Sequence, residues 1–145
     1  MTDMHEQELE CPACGHSQNA VVYETINVTL DPELKEKLFK GQLNLFVCEE
    51  CGHRAIMNLV FLYHDMEKKF CVQYCPFEKV LRKDEQLAEM YTINGEPQYL
   101  YSLQLPEIAE YMLEPHIVLS LDEMVRYVQF RDVIYEQLKE ARTKH

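Results

Sequence analysis

Apolar and polar residues alternate from Ala20 to Leu30, where Val22, Ile26 and Val28 share one face. A period of two, together with many β-branched residues, predicts a β-strand. The residues before it, Met1 to Glu10, are polar and acidic and show no comparable pattern. We therefore expect them to form a loose leader.

The next stretch carries the signals of a helix start. Asp31-Pro32-Glu33 provides a side-chain cap, a proline for the first helical position and an acidic residue in the first turn. Leu34 and Leu38 give the helix an apolar side, and we expect it to end at about Lys40. A short strand over Leu43 to Val47 is predicted after it.

A long apolar run, Ala55 to Tyr63, is typical of a strand that is covered on both faces. A polar turn at His64 to Lys68 and a second apolar run, Phe70 to Tyr74, complete the pattern of a hairpin. These segments end the first part of the chain, which we assign to residues 1–76.

The second part, residues 77–145, is predicted to be mostly helical. We expect it to pack on the first part, so that the two form one compact unit. Its predicted elements are, in order, a helix over 78–91, a turn at Asn94-Gly95, an alternating stretch over 99–105, a helix over 107–113 and a short strand over 117–119.

The last helix has two apolar stripes, and Ser120 with Glu123 fits a capping box at its start. A single long helix covered from two sides would explain both stripes, and so would a break near Gln129. If the helix is continuous, we expect a second copy of the chain to cover the second stripe. One stripe consists of Leu121, Met124, Val125 and Val128, and the other of Tyr127, Phe130, Ile134, Leu138 and Ala141.

Two short segments, residues 11–16 and 48–53, share the pattern Cys-x-x-Cys-Gly-His. Two Cys-x-x-Cys pairs separated by a loop supply four thiolates to one tetrahedral ion, and zinc prefers this ligand set. The glycine after each pair allows the positive φ that such a turn often needs. We predict a structural Zn²⁺ site, whose ligands are Cys11, Cys14, Cys48 and Cys51. Because four thiolates leave no open position for a reacting water, we do not expect an enzyme.

Four further residues have competing interpretations. His16 and His53 could each replace a thiolate, but a histidine directly after the turn glycine is expected to face solvent or a sulfur. Cys71 and Cys75 would lie about 13 Å apart at about 3.3 Å per residue on a strand, too far for a disulfide. We expect them to be buried and inert, with a regulatory or auxiliary metal role as the alternative.

Together these patterns predict an α+β fold. It consists of a zinc ribbon of β-hairpins with an inserted helix, followed by a mostly helical subdomain.

The charge of the chain narrows the classes of function. It has 25 acidic and 14 basic residues, a net charge of −11, and an acidic surface repels nucleic-acid phosphates. No apolar run reaches the roughly 20 residues that span a bilayer. Six cysteines without an export signal indicate a reducing compartment. We expect a cytoplasmic protein that binds neither nucleic acid nor membrane.

The sequence resembles the CpXC family, named for two Cys-Pro-x-Cys motifs, over most of its length. Glu49 stands where the second motif would have proline, and the C-terminal segment is shorter than the family's between Phe130 and Asp132. The resemblance implies the metal site and the architecture, and it implies no reaction. The matching segments are Cys11-Pro12-Ala13-Cys14, Asp31 to Cys48, Leu62-Tyr63-His64-Asp65, Glu123-Met124-Val125 and Asp132 to Lys139.

The function that we expect is a non-enzymatic zinc-binding module that contacts another protein or a second copy of itself. Tyrosine is common at protein interfaces, and Tyr99, Tyr101 and Tyr127 are the candidates here. A thiol-based redox switch or zinc-responsive switch is the alternative. A transcription-associated zinc ribbon is a more distant one.

Overall fold

The structure is a computed structural model that describes residues 2–96 and 110–143. The strands of this part of the chain are β1 (Asp3–Glu10), β2 (Ser17–Asn27), β3 (Leu45–Val47), β4 (Arg54–Ile56), β5 (Phe61–Asp65), β6 (Phe70–Tyr74) and β7 (His116–Val118). The helices are α1 (Pro32–Phe39), α2 (Phe77–Leu81), α3 (Glu85–Met90), α4 (Glu110–Leu113) and α5 (Leu121–Thr143).

These elements form two sheets. Strands β1, β2, β5, β6 and β7 make the larger sheet in that order, whereas β3 pairs only with β4 in what we call the small sheet. Strand β2 is antiparallel to β1 and parallel to β5, and α1 lies in the connection between β2 and the small sheet. The predicted α+β class is confirmed.

Strand β1 occupies the segment that was expected to be a loose leader, and that prediction was wrong. It pairs with β2 along its whole length, from Asp3 to Glu10. Most of its side chains are exposed. Because neither face of β1 is buried, the strand needs no alternation of apolar residues, and backbone pairing alone defines it.

Helix α1 begins at Pro32 as predicted, but Asp31 makes no side-chain capping bond. The Asp31 carboxylate instead accepts a hydrogen bond from the Thr2 hydroxyl at 2.6 Å. The same hydroxyl oxygen accepts from the backbone N–H of Asn27 at 3.0 Å. Thr2 thus connects the segment before β1 to the loop between β2 and α1. The local sequence could not indicate this contact, because Thr2 and Asp31 are far apart in the chain.

The apolar run at residues 55–63 is not one strand, so this prediction was also wrong. Its two ends belong to different sheets, β4 and β5. After β4 the N–H of Met57 donates to the carbonyl of Asn44, and a tight turn follows, in which the N–H of Leu59 donates to the Met57 carbonyl. A continuous apolar run cannot reveal such a break, because residues in the connection are partly buried as well. The predicted hairpin of β5 and β6 is confirmed, and both strands are buried throughout.

The main core takes residues from both sides of the predicted boundary at residue 76. Strand β7 extends the large sheet by pairing parallel to β6. The division into two parts stays a prediction. The buried residues of the main core are Ile26, Val28, Leu34, Leu38, Leu43, Phe61, Tyr63, Phe70, Val72, Tyr74, Val118, Met124 and Val128.

The predicted helix over 78–91 is two short helices, α2 and α3. Lys83 ends the first with a φ of +53°. The N–H of Asp84 donates to the carbonyl of Lys79 across this turn at 3.1 Å. Helices often end at a residue in this left-handed conformation, which is usually glycine. Because lysine stands here instead, the sequence did not indicate that the helix ends. The turn at Asn94-Gly95 is confirmed, with Gly95 at φ +79°.

The alternating stretch over 99–105 and the start of the helix over 107–113 lie outside the described residues. Helix α4 covers the end of that predicted helix. The short strand expected at 117–119 is present as β7.

Helix α5 is continuous, so the break considered near Gln129 is wrong. The N–H of Glu123 donates to the Ser120 hydroxyl, and the Glu123 carboxylate accepts from the N–H of Leu119, both at 3.1 Å. Met124 and Val128, from the first stripe, are fully buried in the main core. The second stripe is exposed at Phe130, Ile134 and Leu138 (56%, 36% and 56%), whereas its first residue, Tyr127, packs against the main core.

An ion-pair network fixes α5 against the rest of the fold. Asp132 accepts from Lys35 of α1 at 2.7 Å and from Lys68 of the β5–β6 turn at 2.8 Å. All three side chains are at most one-quarter exposed, which limits screening by solvent. Within the described residues, no helix has the length and apolar character that crossing a bilayer requires.

Candidate metal centre

Two turns with the same backbone geometry carry the four cysteines. In the first cysteine turn, residues 11–16, the N–H of Cys11 donates to the carbonyl of His16 at 2.8 Å, and the N–H of Gly15 donates to the Cys11 carbonyl at 2.9 Å. The second cysteine turn, residues 48–53, repeats both bonds at 2.8 and 3.0 Å. The two turn glycines have φ values of +80° and +75°. The first turn joins β1 to β2, and the second joins β3 to β4.

The sulfur atoms of the two turns converge on one point. Cys11 Sγ lies 3.7 Å from Cys51 Sγ, and Cys14 Sγ lies 3.5 Å from Cys48 Sγ. All four sulfurs are within 4.8 Å of one another. A tetrahedral ion with metal–sulfur bonds of about 2.3 Å separates its sulfurs by about 3.8 Å, so these residues fit one ion. The four cysteines are therefore positioned to hold a metal ion.

Each turn contributes one buried and one exposed cysteine. Cys11 and Cys48 are buried and pack with Phe46 of β3 in a second, smaller core. Cys14 and Cys51 are exposed. The centre is thus anchored on its inner side and accessible from solvent on its outer side.

The backbone makes the thiols unequal. The N–H groups of Cys51 and Glu50 donate toward the Cys48 sulfur and lower the pKa of Cys48 to about 6. The N–H of His16 favours the thiolate of Cys14. Hydrogen bonds with the neighbouring cysteine sulfurs, that of Cys48 foremost, and partial desolvation outweigh this effect and raise the pKa of Cys14 to about 12. Thiolates this close repel one another unless a cation lies between them. A metal ion supplies that cation and binds the thiolate form.

Gln18 links the second cysteine turn to β2. Its side-chain N–H donates to the carbonyl of Val47 at 2.9 Å, and its side-chain oxygen accepts from the N–H of Glu49 at 2.9 Å. Val47 and Glu49 flank Cys48 in the sequence. One amide therefore fixes the backbone on both sides of a candidate ligand.

Asn44 makes a second bridge of the same kind. Its side-chain oxygen accepts from the N–H of Tyr23 at 2.9 Å, and its side-chain N–H donates to the Tyr23 carbonyl at 3.1 Å. Asn44 is buried and has a φ of +52°, a conformation that asparagine tolerates better than most residues. The two amides dock the small sheet on β2.

Sequence reasoning missed both amides. Asn44 was placed inside the strand predicted over Leu43 to Val47, whereas β3 begins at Leu45, and asparagine is only a weak signal of the turn found there. Gln18 gave none, because a polar residue near the start of a strand is usually assigned to solvent. Their partners are backbone groups far away in the sequence, so only the tertiary structure identifies them.

The two histidines of the turns are not members of the four-residue metal cluster found among the described residues. His16 Nε2 instead lies 4.0 Å from a carboxylate oxygen of Glu49. The predicted burial of Cys71 and Cys75 is confirmed. Burial raises the pKa of both thiols, that of Cys71 to about 12, and their inert role stays a prediction.

Of the three tyrosines predicted to form an interface, Tyr99 and Tyr101 lie outside the described residues. Tyr127 is partly buried within its own chain. Its ring stacks on His116 at 3.9 Å between centroids and meets Phe70 edge-on at 6.2 Å.

Fold and site together define a mixed α+β protein with a four-cysteine centre positioned to hold a metal ion. A family model described as CpXC protein matches residues 9–137, and the chain belongs to the CpXC family. The matched region contains both cysteine turns and most of α5. No curated protein and no solved structure showed a significant match to the chain.

The Gln18 bridge leads to a prediction about metal affinity. Gln18→Ala removes both hydrogen bonds to the second cysteine turn while leaving all four sulfurs in place. We expect metal affinity, measured by competition with a chromophoric chelator, to fall by about ten-fold or more, as for other groups that position ligands. Gln7→Ala on the exposed strand β1 is the control and should bind like the unmodified protein. Equal affinities for all three would show that Gln18 does not position the ligands.

Proposed function

We propose that the chain is a non-enzymatic zinc protein, in which one Zn²⁺ ion joins two hairpins into a zinc ribbon. The main support is that the four cysteine sulfurs of the two turns converge. Cys14 Sγ lies 3.5 Å from Cys48 Sγ, and Cys11 Sγ lies 3.7 Å from Cys51 Sγ. Sulfur-only ligation favours zinc over the hard cations, which prefer oxygen. Helix α1 lies between the two halves of this ribbon in the chain.

The proposed role of the ion is structural. Four thiolates fill the tetrahedral sphere of zinc and leave no position for a substrate or a reacting water. The ion would connect the β1–β2 hairpin to the small sheet, whose own core is only a few residues. Zinc binding would therefore add directly to the folding free energy of this region.

X-ray absorption at the zinc edge tests this proposal. We expect one zinc per chain and a shell of four sulfurs at about 2.3 Å. Cys14→Ser should lose a sulfur from that shell and weaken zinc binding, whereas Cys71→Ser, which removes a thiol outside the centre, should leave the spectrum unchanged. A mixed shell of nitrogen and sulfur, or two zinc ions per chain, would contradict the proposal.

We further propose that the protein acts as an interaction module that associates with a second copy of itself. The second stripe of α5 supports this idea, because Phe130 and Leu138 are each more than half exposed on a continuous helix. A two-fold contact between two such helices would bury the same patch twice. A net charge of −11 disfavours nucleic acid as the partner, and six cysteines of which none forms a disulfide suit a reducing, cytoplasmic compartment.

Multi-angle light scattering over a range of micromolar concentrations tests self-association. We expect a dimer mass that Leu138→Glu and Phe130→Glu convert to a monomer without unfolding, because both side chains are exposed in the single chain. Gln129→Glu adds the same charge elsewhere on the same helix and should leave the dimer intact. A strictly monomeric mass for the unmodified protein would reject self-association and leave a different protein as the partner.

A redox or zinc-responsive switch is the second candidate function. The exposure of Cys14 and Cys51 favours it, because an oxidant can reach the outer side of the centre. Stoichiometric zinc release by mild peroxide, reversed by a thiol reductant, would support the switch. Retention of zinc under those conditions would argue against the switch and in favour of a purely structural role for zinc.

A further inference from the structure

A cavity lies apart from the metal centre. It has a volume of about 330 Å³ and lies between β6, the segment 111–116 and α5. Phe70 and Cys71 of β6 line it, and both are buried. It shares no lining residue with the four-cysteine centre. This volume falls in the range of small-molecule sites.

Two aromatic residues, Phe70 and Tyr127, position Arg131 at this cavity. The central carbon of its guanidinium group lies 4.5 Å from the centroid of the Phe70 ring, and Nη1 donates to the Tyr127 hydroxyl at 3.1 Å. A guanidinium group has five N–H donors, so most of them stay available for a ligand. Such a fork matches the geometry of carboxylate and phosphate oxygens.

Basic residues outnumber acidic ones in the lining of the cavity, the reverse of the chain as a whole. Within residues 2–96 and 110–143, neither Arg131 nor Lys69 forms a salt bridge, although the chain has 25 acidic residues. Glu114 is the single acidic residue among those that line the cavity. Two cations therefore face a cavity in an otherwise strongly acidic protein.

Aromatic side chains form the walls. His116 stacks on Tyr127 with 10° between the ring planes. The hydroxyl of Tyr111 lies 2.8 Å from Nε2 of the buried His64, which fixes the position of the Tyr111 ring. Flat, fixed walls of this kind suit a flat apolar group.

We propose that this cavity binds a small organic oxyanion, a carboxylate or phosphate ester that carries a flat apolar group. Its charged oxygens contact Arg131 and Lys69, and its flat group lies against Tyr111 and Tyr127. A ligand bound in this way connects α5 to the β5–β6 hairpin. The site shares no residue with the four-cysteine centre, so the proposal does not depend on zinc binding.

Proton–nitrogen NMR titration of the metal-loaded full chain tests this inference. Benzoate and phenyl phosphate are the probes for the two anion classes, and benzamide is the uncharged control of the same shape. We expect benzoate, phenyl phosphate or both to cause saturable shifts of the Phe70, Cys71 and Tyr127 amides in the millimolar range. The probe that binds more tightly identifies the preferred class, and benzamide should bind at least ten-fold more weakly than that probe.

Charge-removing variants complete the test. Arg131→Gln should weaken binding of the tighter-binding probe at least ten-fold. Lys69→Gln should weaken it several-fold, and because Lys69 is an exposed turn residue, we do not expect this variant to lose its fold. Arg126→Gln removes a cation from the same helix but outside the cavity and should change nothing. The proposal is wrong if neither anion saturates these shifts, if benzamide binds as tightly as the anions, or if both cavity variants bind normally.

Discussion

The convergence of four sulfurs from two distant turns is the constraint on which the small sheet and both cysteine turns depend. Cys14 and Cys48 are 34 residues apart in the sequence, yet their sulfurs lie 3.5 Å from each other. Uncompensated thiolates at that distance repel, and closing the intervening loop costs conformational entropy. Both costs would be offset at one place, where the four cysteines are positioned to hold a metal ion and the side-chain amides of Gln18 and Asn44 dock the small sheet on β2. Strand β2 is consequently the element that connects the metal centre to the large sheet.

The fold contains two cores of unequal strength. The main core joins the large sheet to α1 and α5 and includes none of the four candidate ligands. The smaller core holds Cys11 and Cys48 around Phe46, with few apolar partners. A region with so little buried apolar surface gains much from a cross-link, which is the usual reason for small metal-stabilised modules. We therefore propose that a bound metal stabilises the small sheet, whereas apolar burial stabilises the large sheet.

Sequence reasoning succeeded where a local pattern has one physical meaning. The repeated Cys-x-x-Cys-Gly segments identified the cluster, and alternation or capping residues located β2, α1 and the start of α5. It failed where the partner is remote or the pattern ambiguous. Strand β1 is defined by pairing alone, the break after β4 lies inside a continuous apolar run, and Lys83 ends a helix without a glycine. Only the folded structure shows that the side-chain amides of Gln18 and Asn44 bind distant backbone groups. It is also needed to see that Lys69 and Arg131 line the same cavity.

The central claim is that the metal stabilises the small sheet while the main core folds without it. Amide hydrogen exchange, resolved by residue and compared between metal-loaded and chelator-treated protein, measures this most directly. We expect the amides of Cys48 and Met57, which donate across the small sheet, to lose protection when the metal is removed, while those of Tyr63 and Val72 keep theirs. Equal loss of protection in both sheets, or none in the small sheet, would contradict it.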